Sequence, residues 1–410
     1  MGFLDSPPES DSASPRVTTK ADDIVGILAT IAPNLPKILF EPDRVTSAVN
    51  TISVSVIGPT FKSKSFPENI SQSTLVLLYQ VARLPNNQKS WKKDLADAFN
   101  DSRFFANSLS LVESDWLPLL KQWTLSDKER MPEIISRLQA PTTAGIVFGV
   151  GATSARLEAD RKTQLNLRRA ATLILATGND HFIADLPPML EKIVDLLSAT
   201  TTSSASSTTR ADIYLLMHAL ALKTSAVHLA SLWPIVNAEL HAAISSVVAP
   251  DHSLPANTFN NYSILQACKL LDTLLCIAPD DFQLHEWLFI TDTIDAVYRP
   301  PNFQPIALVD ELSEELGSTV LASTMPTESL PIQASNSLTR KPLLGPGGIS
   351  IEGSWERKDE LVGKVLRPFF SQLSIFAFET TYSLGFPDWE ACKTGLLKDL
   401  FDETTIVKAL

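Results

Sequence analysis

Cysteine is scarce in this chain of 410 residues: Cys268, Cys276 and Cys392 are odd in number and lack metal-ligand spacing. That excludes a disulfide framework or a zinc site as the organising principle and fits a reducing, cytosolic compartment. Basic charge is also in deficit. Against 46 Asp and Glu stand 34 Lys and Arg, a formal charge of -12, and phosphate affinity needs clustered cations, so no nucleic acid is expected as a partner. Long apolar runs are missing too: Ile213 to Leu222 stops well short of the roughly 18 residues that suggest a membrane span. No charged segment followed by an apolar block opens the chain, so no secretory signal is expected. The sequons at Asn69, Asn100 and Asn261 are then read as chance matches.

Catalytic signatures are equally thin. Gly145-Ile-Val-Phe-Gly-Val-Gly151 lacks the Lys-Ser or Lys-Thr of a phosphate loop, and Ser154 stands where a dinucleotide fingerprint needs its third Gly. The six histidines, at 181, 218, 228, 241, 252 and 285, form no ligand pair at helical spacing. No Gly-x-Ser-x-Gly elbow occurs. Cys268 and Cys392 fall on apolar faces and are expected to behave as small core residues, without an activating base. The chain therefore reads as not an enzyme, with no catalytic residue, no metal and no cofactor.

Helical periodicity is what the chain has in quantity. Leu229, Leu232, Trp233, Val236, Leu240, Ile244 and Val247 recur at spacings of three and four, one apolar stripe along a helix over 229–248. Pro234 fits only near its start, which makes Ser231 the expected N-cap. A second helix is expected from Ser263, with Ser263 and Gln266 as a capping box. Its core face is Ile264, Cys268, Leu271 and Leu275, and Gln266, Lys269, Asp272 and Thr273 point away. Trp91, Leu95 and Phe99 share a face, as do Leu190, Ile193, Val194 and Leu197. Strand signals are confined to the brief alternation Ile52 to Ile57 and to Ile146–Val150, which reads equally as buried helix; neither has a partner.

These patterns predict an all-α fold, an irregular solenoid of stacked helix pairs of HEAT or armadillo type. Residues 1–20 read as a disordered leader, 21–197 as an N-terminal helical block and 198–210 as a Ser/Thr-rich linker or loop. A central block of paired helices spans 211–298. A Pro- and Gly-rich insertion follows over 299–356, helical only from Ile306 to Leu316, and C-terminal helices occupy 357–410, with Pro368 kinking or restarting the first.

Two features suggest membrane contact. Arg161, Lys162, Arg168 and Arg169 share one side of a helix, a candidate anionic-surface contact diluted by Glu158 and Asp160. Met1-Gly-Phe-Leu-Asp-Ser6 matches the minimal N-myristoylation pattern, which alone gives only marginal membrane binding.

Several short anchors occur in one order: Ser90-Trp-Lys-Lys-Asp94, Asp101-Ser-Arg-Phe-Phe105, Leu229-Ala-Ser-Leu-Trp-Pro234 with Glu239-Leu240, Ala267-Cys-Lys-Leu-Leu-Asp272, Trp287-Leu-Phe-Ile290 and Pro368-Phe-Phe370. In this order the chain resembles the C-terminal region of the Dopey family from about Ser90 onward. The resemblance implies a cytosolic helical protein, peripheral on Golgi and endosome membranes, acting as a scaffold in vesicle-mediated protein transport between the trans-Golgi network and endosomes. The partners it implies are a Mon-type Golgi scaffold related to Arf exchange factors, an aminophospholipid flippase and kinesin light chain. The alternative is a generic helical-repeat adaptor that binds peptides or proteins in another cytosolic pathway. The anchor aromatics Trp233 and Trp287 are expected in the core, as fold determinants rather than partner contacts.

Overall fold

Among the described residues, three of the prolines inside helices come just after a π-helical turn. Ser53–Ile57 precedes Gly58-Pro59, Val112–Trp116 precedes Leu117-Pro118, and Leu361–Leu366 precedes Arg367-Pro368. Proline lacks an N–H, and its ring crowds the carbonyl four residues back. Widening the preceding turn relieves both demands and keeps the helix running. Pro368 therefore lies within a helical run from Lys358 to Tyr382 instead of restarting it. The alternation at Ile52 to Ile57 is likewise helix, not strand; Ser53 and Ile57 turn inward, and the Ser53 hydroxyl donates to Asp94.

These observations come from a computed structural model that describes residues 20–85, 89–139, 151–198, 206–247, 258–290, 307–309, 312, 316, 339–353, 355–382 and 385–408. The expected leader, the Ile146–Val150 run and most of the Ser/Thr-rich stretch lie outside the described residues. The chain forms two compact units, 1–104 and 105–410, a division inside the expected 21–197 block.

In the first unit, α1 (Lys20–Ile31), α2 (Leu35–Leu39), α3 (Pro42–Ile52), α4 (Gln72–Ala82) and α5 (Lys89–Asn100) follow one another, with α4 packed against α1 and α5. Ser71 caps α4 by accepting the Thr74 N–H. The core is Leu75, Leu77 and Leu78 with the expected face of α5, Trp91, Leu95 and Phe99.

The second unit contains α6 (Leu117–Ser126), α7 (Arg130–Ser136), α8 (Gly151–Ala176), α9 (Leu186–Leu197), α10 (Ser207–Lys223), α11 (Ala226–Leu229), α12 (Trp233–Ser245), α13 (Asn261–Ile277), α14 (Asp280–Gln283), α15 (Arg367–Tyr382) and α16 (Trp389–Leu400). Long helices α8, α10 and α13 lie side by side; α6 and α7 pack on α8, α12 and α15 on α13, and α16 on both α8 and α10. The fold is all-α, built by stacking helices as the periodicity predicts. Among the described residues the strands are two residues each, β1 (Thr339–Arg340) and β2 (Phe386–Pro387), paired in parallel.

Because α10 is covered from several sides, every residue from Thr209 to Leu222 is buried. α13 is nearly as enclosed, so Gln266, Asp272 and Thr273, expected to point away from the core, are buried as well. Its start is also earlier than expected: Asn260 is the N-cap, and its capping box is closed by Ser263, not by Ser263 with Gln266. α12 begins at Trp233 after a separate short helix α11, so Ser231 caps neither. The end of the Ser/Thr-rich stretch is structural, since the Ser206 hydroxyl accepts the Thr209 N–H and caps α10. On α9, Met189, Leu190, Ile193 and Leu196 face inward while Val194 is exposed.

Among the described residues one helical run, Lys358–Thr380, has the length and mean hydropathy, 1.2, to cross a membrane. Its Leu361, Val365, Leu366, Phe369, Phe370 and Leu373 are buried within the protein.

Candidate functional site

The four basic residues expected to share an anion-contacting face are all on α8, and the fold separates them. Lys162 is exposed, 3.5 Å from Glu158, and Arg161 is half-buried. Arg168 and Arg169 are buried, Arg169 donating to Asn166 over 3.0 Å. The sequence-based face therefore does not form a surface patch. The cause is that α6, α7, α10 and α16 all pack on α8, so more than one side of the helix is interior.

Arg168 is the centre of a buried polar network. Its Nε donates to Asp212 Oδ1 at 2.7 Å, its Nη1 to the carbonyls of Leu400 and Asp402 at 2.8 and 2.9 Å, and its Nη2 to Thr405 Oγ1 at 2.5 Å. Gln164 donates to the other Asp212 oxygen at 2.6 Å and accepts the Val407 N–H at 3.0 Å. Burial is the largest influence and opposes the charged guanidinium, but Asp212, Tyr262 and Asp402 together outweigh it and hold the Arg168 pKa above its ordinary value. A planar fork that satisfies two backbone carbonyls, a hydroxyl and a carboxylate at once fastens the chain over 400–407 to α8 and α10.

Asp272 fastens a second segment. It accepts the Leu343 N–H at 2.9 Å and the Leu344 N–H at 2.7 Å, holding part of the Pro- and Gly-rich stretch against α13. Cys276 donates to the Arg340 carbonyl over 3.4 Å, and Arg340 reaches the Thr380 carbonyl at 2.9 Å. Gly348 closes the turn so tightly that a Cβ there would lie 2.1 Å from the Leu343 carbonyl oxygen. With Leu344 and Ile349 buried, this part of the expected insertion is integral to the fold. Burial, opposed by the two N–H donors and Lys269, raises the Asp272 pKa to about 7. Burial likewise pushes the Cys268 thiol up, which suits an unreactive core residue.

Both side chains of the Arg168–Asp212 pair are wholly buried. A shallow concavity of about 570 Å3 in the first unit is lined by Asp43, Thr46, Ser47, Asn50, Thr51, Val54 and Ser55, with Asp43 its one carboxylate. Among the described residues no three His, Cys, Asp or Glu converge to hold a metal ion.

The exposed surface holds a correction. Trp233 is buried as expected, its ring 5.7 Å from Phe282, but Trp287 is not in the core. Residues 286–288 form a single 3-10 turn, and with only one turn Phe289 and Ile290 take the inward positions. α1 shows the same point: Ile24, Ile27 and Ile31 lie three and four apart, yet that stripe is exposed.

The model of the DOP1 C-terminal region matches residues 3–383. The chain belongs to the Dop1, or Dopey, family. It is 49% identical over 388 residues to Protein dop1 of Emericella nidulans, covering 94% of this chain and 20% of that protein. It is 28% identical over 369 residues to Protein DOP1 of Saccharomyces cerevisiae, 87% of this chain and 20% of the relative. With Protein DOP1B of Xenopus laevis it shares 25% over 298 residues, 65% of this chain and 12% of that one. The chain thus spans about one-fifth of the length of the fungal Dop1 relatives. No solved structure matches it. Most of the Dop1-like anchors are packing residues here: Trp91, Phe104, Phe105, Trp233, Cys268 and Leu271 are buried, and Trp287 departs from them.

Proposed function

We propose that this Dop1-family chain works as a non-enzymatic scaffold in vesicle-mediated protein transport between the trans-Golgi network and endosomes, peripheral on the cytosolic face of those membranes. Family membership carries the reading, supported by the match over residues 3–383. The geometry is in keeping with it, because the buried ionisable groups described above are spent on fastening segments together. A stacked helical array offers long surfaces for protein partners. The partners proposed are a Mon-type Golgi scaffold related to Arf exchange factors, an aminophospholipid flippase and kinesin light chain.

The test is tagging at the native locus followed by imaging and affinity capture. Colocalisation with trans-Golgi and endosomal markers and recovery of the Mon-type scaffold are expected. A diffuse cytosolic signal with neither partner nor cargo defect would overturn the transport role and leave an adaptor of another pathway.

A further inference from the structure

Val227, on α11, Leu284, the C-cap of α14, and Trp287, in the turn that follows, are 75%, 71% and 56% exposed. α11 packs on α14, and α14 on the turn Glu286–Leu288. Beneath them lies a fixed aromatic floor. Phe282 is fully buried, with its ring 5.7 Å from Trp233 and 6.2 Å from Phe289. Leu284 and Trp287 are thus displayed from an ordered platform, which lowers the entropy lost when something binds them.

Carboxylates are carried by the same elements as these apolar side chains. Asp280 and Asp281 open α14, and Glu286 precedes Trp287. Asp180 sits at the start of α11, where it accepts the Ser225 N–H at 2.7 Å and the Ser225 hydroxyl at 2.5 Å. No Lys or Arg occurs in 225–229 or 280–290; Lys223, just before α11, lies near Lys121 and Lys393 instead. Exposed tryptophan is a residue type that concentrates binding energy, and a carboxylate rim selects the sign of the partner's charge.

We propose that this patch docks a short basic amphipathic segment of a partner protein. Its apolar side chains lie on Trp287, Leu284 and Val227, and its Lys or Arg heads meet Asp280, Asp281 and Asp180. An Arg over the Trp287 ring adds a cation–π contact. Three apolar side chains make a small footprint, so the contact belongs to the weak, exchangeable class. The proposal rests on the chemistry of the patch and stands or falls apart from the transport reading.

The experiment uses the full chain and a fluorescent helical peptide of about 15 residues, with Leu on one face and Lys and Arg on the other. Two companions serve as controls: the same peptide with Glu in place of the cations, and a basic peptide with Ser in place of Leu. The basic amphipathic peptide is expected to bind, more weakly at high salt, and each control to bind at least about tenfold less. Trp287→Ala and the pair Asp280→Lys, Asp281→Lys should each weaken binding about tenfold, with Trp287→Phe intermediate and helicity by circular dichroism unchanged. Equal binding of the Glu peptide, equal binding of the Leu-less basic peptide, or undiminished binding to the Trp287→Ala protein would each overturn the proposal.

Discussion

Arg168 and Asp212 meet at 2.7 Å with both side chains wholly shielded from water. They join α8 to α10, and the remaining guanidinium donors hold the carbonyls of Leu400 and Asp402. One arginine therefore fixes three parts of the chain far apart in sequence.

Removing one member of such a pair strands the other charge in the interior. Arg168→Met should cost about 3 to 5 kcal/mol and speed amide hydrogen exchange over 400–407. The double variant Arg168→Met, Asp212→Leu should recover much of the lost stability, because no buried charge remains. Denaturant unfolding of the four proteins in the cycle gives the answer. A double variant no more stable than Arg168→Met alone would show that the ion pair is not the source of the loss.

Asp272 makes stability depend on pH in an unusual direction. Burial raises its pKa from 3.8 to about 7, so between those values the folded state keeps a proton that the unfolded chain has released. Its contribution is fully present below pH 3.8, falls as pH rises, and is lost above about 7. Asp272→Asn should remove this downward slope, which approaches about 1.4 kcal/mol per pH unit. Unfolding measured across that range in both proteins checks it.

His218 acts in the opposite sense. Burial, helped by the nearby Lys269 charge, lowers its pKa from 6.5 to about 3, and its Nε2 has no hydrogen-bond partner among the described residues. The unfolded chain takes up the proton first, so the contribution is complete above pH 6.5 and is lost as pH falls toward 3. His218→Leu should make the protein less sensitive to acid in that window. If the parent and the variant lose stability in parallel, His218 is not the group responsible.

Trp233 packs on Phe282 at the base of α12, which itself packs on α13. Trp233→Ala should cost about 3 to 5 kcal/mol through the cavity it leaves, read as a lower midpoint of thermal unfolding. Trp287→Ala, by contrast, should leave the midpoint nearly unchanged. Reversal of this pair of outcomes would exchange the core and surface roles assigned to the two tryptophans.

Helix type and the inward face of α5 were readable from residue spacing, since Trp91, Leu95 and Phe99 repeat at four residues wherever the helix goes. Capping was readable only to within a few residues, because Ser71, Ser206, Ser231, Asn260 and Ser263 all have side chains able to accept a backbone N–H. The basic face on α8 failed for a definable reason. Spacing places Arg161, Lys162, Arg168 and Arg169 along the helix but carries no record of how many neighbours will surround it. The signal that could have warned of this was Asp212 at the head of the apolar run Ile213 to Leu222, and Asp272 within the apolar α13. Isolated carboxylates in all-round apolar helices require buried partners.

Local chemistry thus settled what can be read along one helix: the all-α class and most of the apolar stripes. Contacts between distant residues settled the rest. Whether Ile24 or Trp287 is covered, whether Arg168 meets water or Asp212, and whether Leu343 and Leu344 are held by Asp272 all depend on which surfaces come together. A helix repeats every 3.6 residues whatever lies beside it, whereas burial belongs to neighbours that the chain brings in from tens or hundreds of residues away.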